Sequence, residues 1–159
     1  MCWICDHPQA TRSDYLNHML DLVATYGWAV QGVSRDGLHP PWAYTVGLTE
    51  AGLPELVVSG MSVRRAHELL NDVASHIVHP GVALLPGQQV PLVGGPTLEI
   101  VELSETKARL VTAVDIYGPG IRALQLVHAD DRGHWPWQVG YRGHQFVLGE
   151  RVCPPATAA

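Results

Sequence analysis

The N-terminal segment contains two cysteines and a histidine close together in the sequence. Cys2 and Cys5 are separated by two residues, and His7 follows shortly after them. A two-residue gap lets both thiolates reach one cation, and an imidazole adds a nitrogen ligand of the kind that zinc accepts. We therefore expect Cys2, Cys5 and His7 to bind a metal ion, with zinc as the cofactor. Zinc needs a fourth donor, which folding would supply from Cys153, Asp6, His144 or another histidine.

The same two cysteines have other interpretations. A thioredoxin-like redox pair usually begins a helix after a strand, and no strand is predicted before this pair. Covalent haem attachment requires His directly after the second Cys, where this chain has Asp6. If Met1 is removed, Cys2 could act as an N-terminal nucleophile activated by its own amine. Alternatively, both cysteines are small apolar residues that pack the N-terminus on the core, with Trp3 and Ile4 as the anchor.

A second group of polar side chains follows a predicted strand, in the sequence HADDRGH at 128–134. Neighbouring carboxylates flanked by imidazoles could bind a divalent cation or act as a general acid and base. On this basis His128, Asp130 and His134 are candidate catalytic residues. The alternative is structural, because Asp-Arg-Gly is ordinary turn sequence and His128 could be a hydrogen-bonded residue on a half-buried face.

Aromatic residues cluster just beyond this loop. Trp135 and Trp137, together with further aromatic side chains, could line an apolar pocket with a polar rim, although such rings also pack cores. The further candidates for that pocket are Tyr141, Phe146, Trp42 and Tyr44. Two functions follow as hypotheses. One is a small metal-binding protein or metalloenzyme acting on a small molecule, and the other is a noncatalytic module that holds a protein partner through Trp135 and Trp137.

Composition limits the class of protein. Hydrophobic residues make up 47% of the 159 residues and charged residues 16%, which favours a folded domain with a substantial core. A net charge of −5 argues against a nucleic-acid partner. No apolar run approaches the ~20 residues that span a bilayer, and the first residues do not resemble a signal peptide. Three cysteines do not form the even, dense pattern of a secreted disulfide scaffold, so we expect a cytoplasmic location without a membrane partner.

Hydrophobic spacing predicts the helices and strands of the chain. Helices are predicted over about 12–26, from residue 62 to Ile77, and from residue 104 to Tyr117. Strands are predicted at 28–34 and 43–48 as a hairpin, and at 56–60, 98–103 and 123–127, while 82–96 reads mostly as turns. Helices and strands do not alternate strictly. We therefore expect one α+β domain over 1–151, a mainly antiparallel or mixed sheet with about three helices packed on it, and a flexible tail at 152–159.

Several segments resemble a known family. They are MCWICDHP at 1–8, GWAVQ at 27–31, AYTVGL at 43–48, PELVV at 54–58, LQLVHAD at 124–130 and WPW at 135–137. Together they resemble the bacterial family catalogued as domain of unknown function 4262. The resemblance implies a bacterial, actinobacterial-type, single-domain protein. It brings no activity, cofactor or catalytic residue to transfer, so the candidate sites above depend on local chemistry.

Overall fold

A computed structural model describes residues 3–35 and 37–152 of the chain. Its helices are α1 (Trp3–Asp6), α2 (Arg12–Tyr26), α3 (Val63–Val78), α4 (Thr106–Arg109) and α5 (Val111–Tyr117), with a 3₁₀ turn at Leu48–Ala51. Its strands are β1 (Ala29–Val33), β2 (Trp42–Val46), β3 (Glu55–Ser59), β4 (Gln89–Pro91), β5 (Thr97–Glu102) and β6 (Ala123–His128). The α+β class expected from the sequence is thus confirmed, with three substantial helices.

The six strands form one mixed sheet in the order β1-β2-β3-β6-β5-β4. The central pair, β3 and β6, is parallel, with Glu55 opposite Ala123, while the other neighbours are antiparallel. Because parallel strands end at the same edge, Ser59 and His128 at the carboxyl ends of this pair lie side by side. Ligands of open sheets commonly bind beyond the carboxyl ends of parallel strands, so a binding site is expected at this edge.

Side chains of the central strands alternate between two hydrophobic cores. On one face, Leu56 and Leu124 are fully buried against α3, where Leu70 is also fully buried. On the other face, Val57 and Ala123 pack with α2 and α5. The start of α2 is the one the sequence predicts. Thr11 and Asp14 form a reciprocal capping box there, and the backbone bond from Thr11 lowers the pKa of the Asp14 carboxyl.

A buried carboxylate fixes the turn after β2. Glu55 is fully buried at the start of β3 and receives five hydrogen bonds, from the hydroxyls of Thr45 and Thr49 and from the backbone N–H groups of residues 47–49. Burial raises the pKa of the Glu55 carboxyl, and the hydrogen bonds oppose that shift. The carboxylate thereby ties the β2–β3 connection to the sheet.

One local prediction was wrong, and another was incomplete. The helix expected over 104–117 is interrupted at Leu110, whose φ of −109° and ψ of 53° separate α4 from α5. The segment 82–96, expected to be mostly turns, also contains β4, a strand of three residues paired with β5. The expected tail at 152–159 stays a prediction, because residues 153–159 lie outside the described ranges.

Among the described residues, a helix that could span a bilayer is not found. The cytoplasmic location expected from the sequence stays a prediction.

Candidate functional site

Residues 144–148, here called the strap, lie across the sheet at the carboxyl ends of β3 and β6. The Gln125 side chain donates its amide N–H to the Phe146 carbonyl and accepts from the Leu148 N–H at 2.7 Å. The Ser59 hydroxyl donates to the Phe146 carbonyl at 3.2 Å and lies 3.1 Å from the Phe146 nitrogen. Buried side chains of the two parallel strands therefore hold the backbone of the strap.

Gln145 anchors the strap from its own side. Its side-chain oxygen accepts from the His128 N–H at 3.1 Å, and its side-chain nitrogen donates to the His128 carbonyl and to the Tyr141 hydroxyl. The backbone of Gln145 also lies close to Gly60, where a Cβ atom would come within 2.6 Å of the Gln145 nitrogen. Gly60 has φ +77°, which favours glycine as well. Only a residue without a side chain allows this close approach.

A cleft of about 390 Å³ lies between the strap and the loop that joins β1 to β2. Its lining comes from three parts of the chain: the β1–β2 loop, the residue after β3, and the strap. The lining residues are Arg35, Gly37, Leu38, His39, Pro40, Pro41, Gly60, His144, Gln145 and Phe146. The volume is in the range of small-molecule sites, about 300–1,000 Å³.

The cleft combines cationic and apolar groups. Among its described lining residues, Arg35, His39 and His144 carry basic side chains and none carries a carboxylate. The His39 ring lies 5.7 Å from the Phe146 ring, centroid to centroid. A small neighbouring depression shares His39 and Phe146 and adds Arg109 to the lining. In a chain with net charge −5, this is a local concentration of basic groups.

The three predicted catalytic residues come together at the end of β6, beside the strap. The half-buried His128 ring points its Nε2 at the Ser59 carbonyl, 3.3 Å away, and its Nδ1 at the Ala129 carbonyl, 3.4 Å away. The His134 Nδ1 lies 3.6 Å from Asp130, beyond hydrogen-bonding distance. None of the three is among the described residues that line the cleft. Their catalytic role stays a prediction.

Asp130 organises the loop that follows β6. Its carboxylate accepts backbone N–H groups from Arg132 and His134 at 2.9 Å and from Arg142 at 2.8 Å. Desolvation opposes ionisation of this side chain, but the backbone bonds outweigh it and lower the pKa of the Asp130 carboxyl. These contacts are what the structural interpretation of the loop predicts.

The proposed metal ligands are only partly described. Cys2 and Cys153 lie outside the described residues, Cys5 is exposed on α1, and His144 lies in the strap. The His7 Nδ1 lies 2.8 Å from the Trp3 carbonyl, and the His7 ring stacks on Trp3 at 4.3 Å. His18 stacks on the same indole at 4.8 Å. Within residues 3–35 and 37–152, no group of three or more His, Cys, Asp or Glu residues could hold a metal ion.

The aromatic segment packs within the fold. Trp135 and Trp137 are half-buried and stacked, with centroids 5.4 Å apart. The Arg151 guanidinium lies 3.5 Å from the Trp137 centroid and binds the buried Glu99 carboxylate at 2.7 and 3.0 Å. Recognition of a protein partner by the two tryptophans stays a prediction.

The aromatic residues expected to line one pocket lie in different places, and their role in binding a ligand stays a prediction. Phe146 lines the cleft and Trp42 the neighbouring depression, whereas Tyr44 is buried in the core. Arg35 and His39 were not predicted as site residues. The turn sequence DGLHPP at 36–41 indicated a break between two strands, but not that this loop faces the strap.

The fold and the cleft define an α+β domain with a basic cleft at the carboxyl edge of its parallel strand pair. The chain belongs to the family described as Domain of unknown function (DUF4262), whose family model matches residues 22–142. No curated protein and no solved structure is significantly similar to the chain. The matched range begins after the Cys5 and His7 positions and ends before the strap.

Proposed function

We propose that this domain binds a small molecule in the cleft between the β1–β2 loop and the strap. The observation that carries the proposal is the cleft itself, about 390 Å³ in volume and lined by both polar and apolar side chains. Such mixed lining is typical of small-molecule sites, where apolar walls supply contact area and a few polar groups fix orientation. The position beyond the carboxyl ends of β3 and β6 adds support.

The anchoring of the strap also supports a binding role. The carbonyl and N–H of Phe146 are bonded to Ser59, and Gln125 and the Gln145 side chain hold the residues on either side. A wall held this way loses little conformational entropy when a ligand binds, so more of the contact energy appears as affinity. The strap is therefore suited to forming one wall of a preorganised site.

Ligand-observed NMR with a fragment library tests the proposal. The variant His144→Trp places a bulky ring in the cleft at an exposed position and should abolish binding of the fragments that the native protein binds. The matched control is His76→Trp, at another exposed histidine on α3, which should leave binding intact. Fragments that bind both variants equally well, or no bound fragment at all, would argue against the cleft as the functional site.

The second candidate function is metal binding by the N-terminal segment, as expected from the sequence. The observation that favours it is the position of His7, whose Nδ1 lies 2.8 Å from the Trp3 carbonyl. Histidines that bind metal usually donate one ring N–H to a carbonyl or carboxylate, which leaves the other nitrogen for the metal. His7 would then bind through Nε2, beside the thiolates of Cys2 and Cys5, with zinc as the expected ion.

Elemental analysis of protein purified without a metal-affinity tag tests this candidate. Near-stoichiometric zinc is expected in the native protein, and it should be lost in the variant Cys2→Ser, Cys5→Ser and in His7→Gln. His18→Gln is the matched control, because His18 also stacks on Trp3 but is not part of the Cys-x-x-Cys-x-His sequence. Native protein that contains no metal after reducing, anaerobic purification would exclude this function.

A further inference from the structure

We propose that the ligand of the cleft is an organic anion, with a carboxylate or phosphate group on an apolar body about the size of one ring. This inference rests on the proposed small-molecule function and specifies the chemical class of the ligand. It combines two properties of the lining, its basic side chains and its exposed apolar residues.

Basic side chains enter the cleft from both of its walls. Arg35 and His39 belong to the β1–β2 loop, and His144 belongs to the strap. The chain as a whole has 10 Lys and Arg against 15 Asp and Glu, so a described lining with basic groups and no carboxylate departs from the average surface. A concave surface with charges of one sign concentrates ligands of the opposite sign.

Arg35 and His144 have donors available for such a ligand. Within the described ranges, neither side chain forms a salt bridge. A guanidinium offers a planar fork of N–H donors that matches carboxylate and phosphate oxygens, and an imidazole donates an N–H whether it is neutral or charged. An anionic group between Arg35 and His144 would therefore be bound from both walls.

The apolar lining accounts for the rest of the ligand. Phe146 is 45% exposed and Leu38 is 84% exposed, although both border the cleft. Pro40 and Pro41 continue this apolar surface along the β1–β2 loop. Contact with an apolar ring would remove these side chains from water, which stabilises the complex by roughly 25 cal/mol for each Å² buried. A simple inorganic anion would leave this surface uncovered.

The test compares three probes that share a phenyl ring: benzoate, phenyl phosphate and benzyl alcohol. Dissociation constants are measured by ¹⁵N NMR titration of the full chain at low ionic strength. We expect benzoate or phenyl phosphate to bind about tenfold more tightly than neutral benzyl alcohol, since one charge-assisted hydrogen bond is worth about that factor. The anion that binds more tightly, benzoate or phenyl phosphate, shows whether the cleft prefers a carboxylate or a phosphate.

Substitutions of basic residues identify the side chains that bind the anionic group. Arg35→Gln should weaken the anions about tenfold and leave benzyl alcohol unchanged, and His144→Gln should act in the same direction. Arg122→Gln is the matched control, because it removes the same charge from an exposed pair with Glu102 near the start of β6. It should leave all three probes unaffected.

Two results would overturn the inference and can be told apart. Equal binding of all three probes, or an equal effect of Arg35→Gln and Arg122→Gln, would show a cleft that binds small molecules without recognising charge. The proposed function would survive that result. No binding by any probe would remove the anion inference and also count against the proposed function.

Discussion

Substitution of Gly60 by alanine tests the contact that builds the cleft. Gly60 has φ +77°, and a Cβ atom there would lie 2.6 Å from the nitrogen and 2.7 Å from the Cα of Gln145. Real Cβ atoms do not approach backbone atoms so closely, so Gln145 has to move away. The expected result is a displaced strap, because Gln145 and Phe146 are neighbours in it.

Two effects lower the free energy of unfolding in Gly60→Ala. A left-handed conformation costs an L-residue about 1–2 kcal/mol, and forcing an atom into packed space costs about 1–3 kcal/mol more, which makes about 2–5 kcal/mol for Gly60→Ala. Gly52 is the matched control, because it has φ +73° and a Cβ atom added there would meet nothing within 4 Å. Gly52→Ala should therefore cost only the first contribution, about 1–2 kcal/mol.

Urea unfolding and thermal denaturation measure both variants. At about 2–4 °C per kcal/mol for a chain of this size, Gly52→Ala should lower the Tm by about 2–8 °C and Gly60→Ala by about 4–20 °C. Amide NMR shifts in Gly60→Ala should change at Gln145 and Phe146. Equal destabilisation by the two substitutions, with unchanged strap resonances, would refute the contact between Gly60 and the strap.

Three further predictions concern the charged residues Arg151, Glu55 and Asp130. Arg151→Met removes the ion-pair partner of Glu99, whose side chain is only 1% exposed. Because Arg151 itself is one-third exposed, the free energy of unfolding in urea should fall by about 2–3 kcal/mol. Adding Glu99→Gln should restore part of this loss, and no restoration would contradict the pairing. Glu55→Gln turns a donor toward backbone N–H groups and should cost about 2–4 kcal/mol. Burial raises the pKa of Glu55 above its ordinary 4.5, so the unfolded chain releases this proton at lower pH than the folded chain does. The stability of the native protein relative to Glu55→Gln should therefore fall as pH rises above that value. A difference in stability that does not depend on pH would contradict the raised pKa. Asp130→Asn should lower the Tm at neutral pH, and since the pKa of Asp130 is lowered, the difference from the native protein should close as pH falls below the ordinary 3.8; a constant difference would contradict it.

The sequence predicts those parts of the fold that local rules determine. Apolar spacing predicted α2 within the bounds observed, and the structure adds a capping box of Thr11 and Asp14 at its start. The helix break at Leu110 was not predicted, because continuous apolar spacing on both sides masks it. Parallel pairing of β3 with β6 depends on contacts between distant parts of the chain, which periodicity does not encode.

The cleft was beyond prediction for a related reason. The strap has neither helical nor strand periodicity, and it is positioned by Gln125 and Ser59, two polar residues that look unremarkable within their strands. Arg35 and His39 are ordinary loop residues until the strap is placed opposite them. The composition of residues 128–134 predicted catalytic side chains, whereas the Asp130 carboxylate accepts hydrogen bonds from the backbone of its own loop.

A crystal structure of the protein soaked with phenyl phosphate shows whether an aromatic anion binds in the cleft. We expect electron density for the phosphate between Arg35 and His144, with the phenyl ring against Phe146. Density for the probe at another surface, while the cleft between the β1–β2 loop and the strap holds none, would refute anion binding in the cleft.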